Sequence, residues 1–101
     1  KATQVPIGTL LACSWNVPLM KELYTLEGQE LVSNNIDTLL GPGVNIHRHP
    51  LNGRNFEYYS EDPLVAGAFA AAVTSGIKAG GATATVKHFA CNDQESARFK
   101  V

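Results

Sequence analysis

"ATATVKHFACNDQE" occupies residues 82–95, and its reading decides how the chain folds. Five small or β-branched residues, Ala82 to Val86, run without a charge. That composition suits a strand buried on both faces. Lys87 and His88 then stand side by side, with Asn92, Asp93, Gln94 and Glu95 close behind. Neighbours on a regular strand point to opposite faces, so Lys87 and His88 can serve one site only where the strand stops being regular. The alternative sends one of them to solvent or to a salt bridge on the helix side. A charged lysine after so apolar a strand is costly to desolvate without partners, which favours a polar pocket at this strand end.

Working outward, Gly80-Gly81 stop a helix that begins near Ser60 or Asp62, with Pro63 in its first turn. Its apolar face recurs at helical spacing through Leu64, Val65, Ala68, Phe69, Ala72, Val73, Gly76 and Ile77. Before it lies a long polar loop, "HRHPLNGRNFEYYSED" (47–62). The preceding "IDTLLGPGVNI" (36–46) is strand-like as far as Leu40, where Gly41-Pro42-Gly43 bends or breaks it. "NVPLMKELYTLEGQELVSNN" (16–35) predicts a helix capped by Asn16, with Pro18 in the first turn and Gly28 a weak point. Met20, Leu23, Tyr24, Leu31 and Val32 follow an approximate helical period. "QVPIGTLLACSW" (4–15) is an apolar run of strand length.

The predicted order is therefore β-α-β-loop-α-β, an α/β arrangement of parallel strands joined by helical crossovers. Such a sheet is open and doubly wound or closed into an eight-stranded barrel. About three strands and two helices cannot close a barrel, which typically takes about 250 residues. "SARFKV" (96–101) carries no stop signal, so the 101 residues are expected to be a piece of a larger domain.

Composition narrows the function classes. A net charge of −1 speaks against electrostatic binding of nucleic acid. No apolar run reaches the roughly 18 residues that span a bilayer, and no signal peptide is visible. Cys13 and Cys91 form no CxxC pair and read as two small buried residues. Their number tilts the compartment toward a reducing one, such as the cytoplasm.

In parallel α/β folds ligands gather at the carboxyl ends of strands. Two clusters fall there. One holds His47, Arg48, His49, Asn52, Arg54, Asn55 and Glu57, and the other holds Lys87, His88 and Asn92 to Glu95. His47 and His49 could share a metal on an i, i+2 spacing, but no third ligand stands nearby, and structural hydrogen bonding is the better account. "GPG" lacks the GxGxxG pattern and a following helix, so an open-sheet nucleotide-binding domain is a weak reading. Arg54 offers a rigid donor fork for carboxylates or sugar hydroxyls. The competing reading of Arg54 is a salt bridge to Glu57 or Glu61 that holds the loop.

"LLGPGVNIHRHPLNGRNFEYYSEDP" (39–63) with "VKHFACNDQE" (86–95) resembles glycoside hydrolase family 3, in its β-glucosidase and β-xylosidase branch. "VPIGTLLACSWN" (5–16) extends the likeness over nearly the whole chain. The β-N-acetylglucosaminidases of that family read KHFPGHG where this chain reads "KHFACNDQE". The resemblance implies that residues 1–101 are part of a (β/α)8 TIM-barrel-like domain, with the rest of the barrel and an α/β sandwich domain outside the chain. It implies retaining hydrolysis of terminal non-reducing β-D-glucosyl residues, with a β-glucoside or related oligosaccharide as substrate and no cofactor or metal.

Carried over residue by residue, Arg54, Lys87 and His88 would bind the sugar in the −1 subsite. The family's further sugar-gripping aspartate would lie upstream of Lys1, its nucleophile downstream in a segment reading approximately SDW, and its acid/base in the other domain. No catalytic residue is therefore assigned within this chain. Glu57, Glu61, Asp62, Asp93 and Glu95 fall at positions that are structural in the family. Asn52 and Asp93 depart from its commonest residues at variable positions. A non-catalytic carbohydrate-binding module derived from the same fold is the rival from another class. The sugar-binding role also predicts an irregular backbone at Lys87-His88-Phe89, a cis non-proline peptide being one form, since such geometry persists chiefly at functional sites.

Overall fold

A computed structural model describes residues 2–100. Its elements run α1 (Gly8–Ala12), α2 (Val17–Ser33), β1 (Thr38–Leu39), α3 (Pro63–Ala79) and β2 (Thr83–Ala84). Short 3-10 turns occupy Asn55–Glu57 and Arg98–Lys100.

The two long helices start and stop on local chemistry. The Asn16 side chain accepts from the Leu19 amide at 3.0 Å, and Asp62 accepts from the Leu64 amide at 2.8 Å. A proline follows each cap in the first turn, where its missing N–H is no loss. Each helix ends by returning two backbone N–H groups to its last turn. After α2, Ile36 donates to the Leu31 carbonyl and Asn35 to the Val32 carbonyl; after α3, Ala82 donates to Ile77 and Gly81 to Lys78. The residue between must turn left-handed, and Asn35 (φ 61°) and Gly81 (φ 103°) are types that tolerate it.

The core lies where α2 crosses α3. Met20 and Tyr24 from α2 pack with Phe69, Ala72, Val73 and Ile77 from α3, joined by Ala12 and Tyr59. Gly28, expected to weaken α2, instead permits this crossing. A Cβ there would sit 2.6 Å from the Ile77 carbonyl oxygen. On α3, Leu64 and Ala68 of the predicted apolar face are exposed, and Ala66 is buried in their stead. No helix among the described residues is long and apolar enough to cross a membrane.

β1 and β2 pair in parallel, Thr38 with Thr83 and Leu39 with Ala84, as the α/β reading requires. Further along, Gly43 bridges Lys87, so four steps on one strand match three on the other. The extra residue falls at the Gly41-Pro42 bend, whose peptide bond is cis, and it acts as a bulge. Both strand ends therefore deliver their loops to the same edge of the molecule.

The first predicted strand, residues 4–15, is a correction: its centre is α1. An apolar run of that length does not distinguish strand from helix, and Leu10, Leu11 and Ala12 are strong helix formers. The described residues thus hold two strands, not three, beside a helix in place of the first. Nor are those strands covered on both faces within them, since Thr38 and Thr83 are exposed and Val86 is 55% exposed. Cys13 and Cys91, expected to be buried, are exposed and unpaired.

The crossing makes two glycines on the same helix pair respond oppositely. Gly28→Ala gains helix propensity but drives a methyl into backbone, and should lower stability by about 1–2 kcal/mol. Gly67 in α3 has nothing within 4 Å of a new Cβ among the described residues. Gly67→Ala should raise stability by about 0.5–1 kcal/mol. Denaturant titration of the two variants checks both signs.

Candidate functional site

The loop after β1 runs through residues 40–62 and the loop after β2 through 85–98, and asparagines stitch them together. Asn45 holds the backbone of His88 from both sides, accepting from its N–H at 2.7 Å and donating to its carbonyl at 3.1 Å. Asn52, only 5% exposed, donates to the Asn92 carbonyl at 3.0 Å, and its own oxygen accepts from the Arg54 amide at 3.3 Å. Regular structure has ended by Lys87, and the Lys87–His88 peptide is cis, as is Phe89–Ala90. The backbone there is irregular, as expected.

These stitches bring Arg54 and Lys87 together on one carboxylate. Arg54 reaches Glu57 in a two-pronged pair, Nε to Oε2 at 2.6 Å and Nη2 to Oε1 at 2.9 Å. The Lys87 ammonium lies 3.3 Å from the same Oε1. The salt-bridge alternative for Arg54 is the one observed, within its own loop, and the pair stands beside the cation of the neighbouring strand end. Its partner is Glu57, while Glu61 is exposed. Two of the five guanidinium N–H donors are used on Glu57. The side chains of Arg54, Lys87 and Glu57 are 24%, 26% and 19% exposed, so the cluster is sheltered but open.

His88 joins from the other side. Its Nδ1 is 3.0 Å from the hydroxyl of the fully buried Tyr58, and the two rings meet edge to face. Tyr58 Oη also lies 2.9 Å from Asn92 Oδ1, and Asn92 Nδ2 lies 3.2 Å from Glu95 Oε1. Arg98 pairs with the other Glu95 oxygen at 3.0 Å. A cavity of about 230 Å³ borders Glu57 and Lys87 along with Gly43, Phe56 and Tyr59. Arg54 and His88 stand outside its lining.

Electrostatics follow from this packing. Partial burial raises the Glu57 carboxyl, but the hydrogen bonds and charges of Arg54 and Lys87 outweigh it and hold the group below the usual carboxylate range. Burial pushes the His88 imidazole down, and the charges of Arg54 and Lys87 push it further. The ring is therefore neutral near pH 7.

His47 and His49 do structural work. His47 Nε2 lies 2.8 Å from the Asn55 carbonyl and 3.1 Å from the Tyr58 carbonyl, so this nitrogen carries the hydrogen and is not a metal ligand. His49 Nδ1 accepts from the Leu51 amide at 3.1 Å. Among the described residues no group of three His, Cys, Asp or Glu side chains could hold a metal ion. The exposed Arg48 pairs with the half-buried Asp93 at 3.7 Å.

Sequence reasoning missed Asn45 and Tyr58, and treated Asn52 as a neutral variation. A loop asparagine looks the same in sequence whether it is solvated or bridges two loops. Tyr58 gave one clue, an aromatic beside Glu57 in an otherwise polar loop.

Residues 1–98 match the model of the glycosyl hydrolase family 3 N-terminal domain, and the chain belongs to that family. Among curated relatives it is 54% identical over 98 residues to a β-glucosidase of Ruminococcus albus, covering 97% of this chain and 10% of that protein. It is 43% identical over 100 residues to an exo-α-(1→6)-L-arabinopyranosidase of Bifidobacterium breve, covering 99% of this chain and 13% of that protein. A solved β-glucosidase from Paenibacillus barengoltzii superposes with a TM-score of 0.95 at 73% identity, over 97% of this chain and 11% of that one. β-Glucosidase 3B from Thermotoga neapolitana, solved in complex with glucose, superposes at 0.90 with 45% identity, over 92% and 13%. The chain thus spans roughly a tenth of the length of the proteins it matches.

The pairing of Glu57 gives a pH signature. Its folded-state pKa lies below the unfolded value of 4.5, so the folded state binds fewer protons there. The stability it contributes is complete above that unfolded value and is lost as pH falls through the lower, folded one. Glu57→Gln should destabilise the protein by roughly 1–2 kcal/mol at pH 7, allowing for partial exposure. Denaturation measured down a pH series should show the gap to wild type closing below about pH 4.5.

Proposed function

We propose that this chain is part of the (β/α)8 catalytic barrel of a glycoside hydrolase that removes terminal non-reducing β-D-glucosyl residues with retention. Residues 1–101 belong wholly to that barrel, and Arg54, Lys87 and His88 bind the sugar in the −1 subsite. The observation that carries this reading is the meeting of Arg54 and Lys87 on Glu57 with His88 adjacent, at the end of two parallel strands. The names of the matched relatives support the same substrate class.

A neutral pyranose presents only hydroxyls. A hydrogen bond from a charged donor to such a group contributes about 1.5–3 kcal/mol. Contacts that tighten as the ring flattens toward an oxocarbenium-like transition state lower the barrier as well as the dissociation constant. Glu57 holds its two cations in place before the sugar arrives, so little ordering remains when it binds.

Retention needs one carboxylate that attacks the anomeric carbon and one carboxylic acid that protonates the leaving oxygen. Glu57 suits neither role. Its oxygens are engaged by Arg54 and Lys87, and its lowered pKa leaves it without a proton to give near neutral pH. Glu95 is likewise engaged, by Asn92 and Arg98. The resemblance to the family implies that both reacting carboxyls come from the remainder of the same enzyme. Relatives named for β-glucosidase and for arabinopyranosidase match this segment alike, so it reads hydroxyls that different pyranoses share, and the choice of sugar is made elsewhere.

Arg54→Ala or Lys87→Ala in the intact enzyme should lower kcat/KM for an aryl β-glucoside by a hundredfold or more, about 2.7 kcal/mol, with the fold retained. A loss below threefold would reduce these residues to scaffolding. A folded intact protein that binds glucose without hydrolysing any β-glucoside would favour the carbohydrate-binding module instead.

A further inference from the structure

Tyr58 and Asn92 are not among the proposed sugar contacts, yet they form a continuous hydrogen-bonded path to His88. Its polarity can be deduced atom by atom. Asn92 Nδ2 faces Glu95 Oε1 at 3.2 Å, and a carboxylate can only accept, so the amide nitrogen must lie on that side. Asn92 Oδ1 then faces Tyr58 Oη at 2.9 Å and takes the single phenolic hydrogen. With that hydrogen committed, the Tyr58 oxygen can meet His88 Nδ1, 3.0 Å away, only as an acceptor. Nδ1 must therefore carry the imidazole hydrogen, and a neutral ring then has its lone pair on Nε2.

We propose that the chain Glu95–Asn92–Tyr58–His88 locks His88 as a hydrogen-bond acceptor toward the sugar, so that His88 selects a ring hydroxyl that donates. Tyr58 and Asn92 are positioning residues. The inference rests on the sugar-binding reading above and deepens it, because Arg54 and Lys87 can only donate. A site with both kinds of reader fixes the direction of a hydroxyl's O–H bond as well as the position of its oxygen.

Two further features agree. Burial, then the charges of Arg54 and Lys87, lower the His88 pKa against the opposing carboxylates Glu57 and Glu95, which keeps the ring neutral. Burial, then the charge of Glu57, raises the Tyr58 pKa, which keeps its hydrogen in place. Glu95 is itself anchored by Arg98 at 3.0 Å, with Arg54 Nε 3.9 Å away.

The test measures inhibition of the intact enzyme by glucose and by its 3-, 4- and 6-deoxy and deoxyfluoro analogues. Fluorine can accept weakly but cannot donate. At the hydroxyl read by His88, both replacements should weaken binding alike, by about tenfold. His88→Ala should abolish that penalty and so identify the position. Tyr58→Phe, which keeps the buried ring, frees the imidazole to take its other tautomer and donate from Nε2, so at that position the fluoro analogue should bind several-fold better than its deoxy partner, which still loses a hydrogen bond. Asn92→Ala should do the same, because the phenolic hydrogen can then turn to Nδ1. A merely structural role for either residue would weaken all analogues equally and leave the deoxy and fluoro penalties at that position alike, which overturns the lock. A fluoro analogue that keeps binding where its deoxy partner loses it, at the His88-dependent position, also overturns it. If His88→Ala changes nothing for glucose or any analogue, the sugar-site reading falls and the lock with it.

Discussion

One carboxylate organises this end of the molecule. Glu57 takes two hydrogen bonds from Arg54 within its own loop and an ion pair from Lys87 on the next strand end. Without it, two positive charges would face each other in a sheltered region, and neither long side chain would have a reason to hold still. With it, one negative charge sits between the two positive ones and offsets their repulsion, yet each cation keeps N–H donors beyond those used on Glu57. The backbone must first bring the loops within reach, and the parallel register of β1 and β2 does so, with Asn45 and Asn52 closing the gap.

The same arrangement explains why carboxylates near the cations need not be reacting groups. A carboxyl held ionised by two cations is a poor acid, and one whose oxygens are both engaged is a poor nucleophile. Glu57 and Glu95 are best understood as the anionic frame on which the donors are mounted. On the reading proposed here, this segment grips the sugar and leaves bond breaking to carboxyls from elsewhere in the polypeptide. That division suits a chain covering about a tenth of its relatives' length.

Much of the fold was legible because its signals are local. Asn16 and Asp62 cap helices, prolines follow them, and Gly80-Gly81 end α3, all within a few residues of sequence. The parallel pairing followed from the α/β order. The stretch around residues 4–15 misled because an apolar run carries no period to separate a strand from a short helix, and Leu-Leu-Ala took the helical form. Cys13 and Cys91 misled because small apolar character is a tendency toward burial and does not fix a position. In the site, the charged residues stood out in sequence at Arg54, Lys87 and His88. The groups that orient them did not. Asn45, Asn52 and Tyr58 act across 30 to 43 residues of chain, and no local pattern marks which loop asparagine will reach across such a span.

The central claim is that Glu57 assembles Arg54 and Lys87, beside His88, into one site for an uncharged pyranose. A crystal structure of the intact enzyme with bound glucose tests it most directly. The sugar ring should lie within hydrogen-bonding distance of the Arg54 guanidinium, the Lys87 ammonium and His88 Nε2 together, with both cations still on Glu57. Glucose bound elsewhere, with that cluster facing only water and its own carboxylates, would contradict the account.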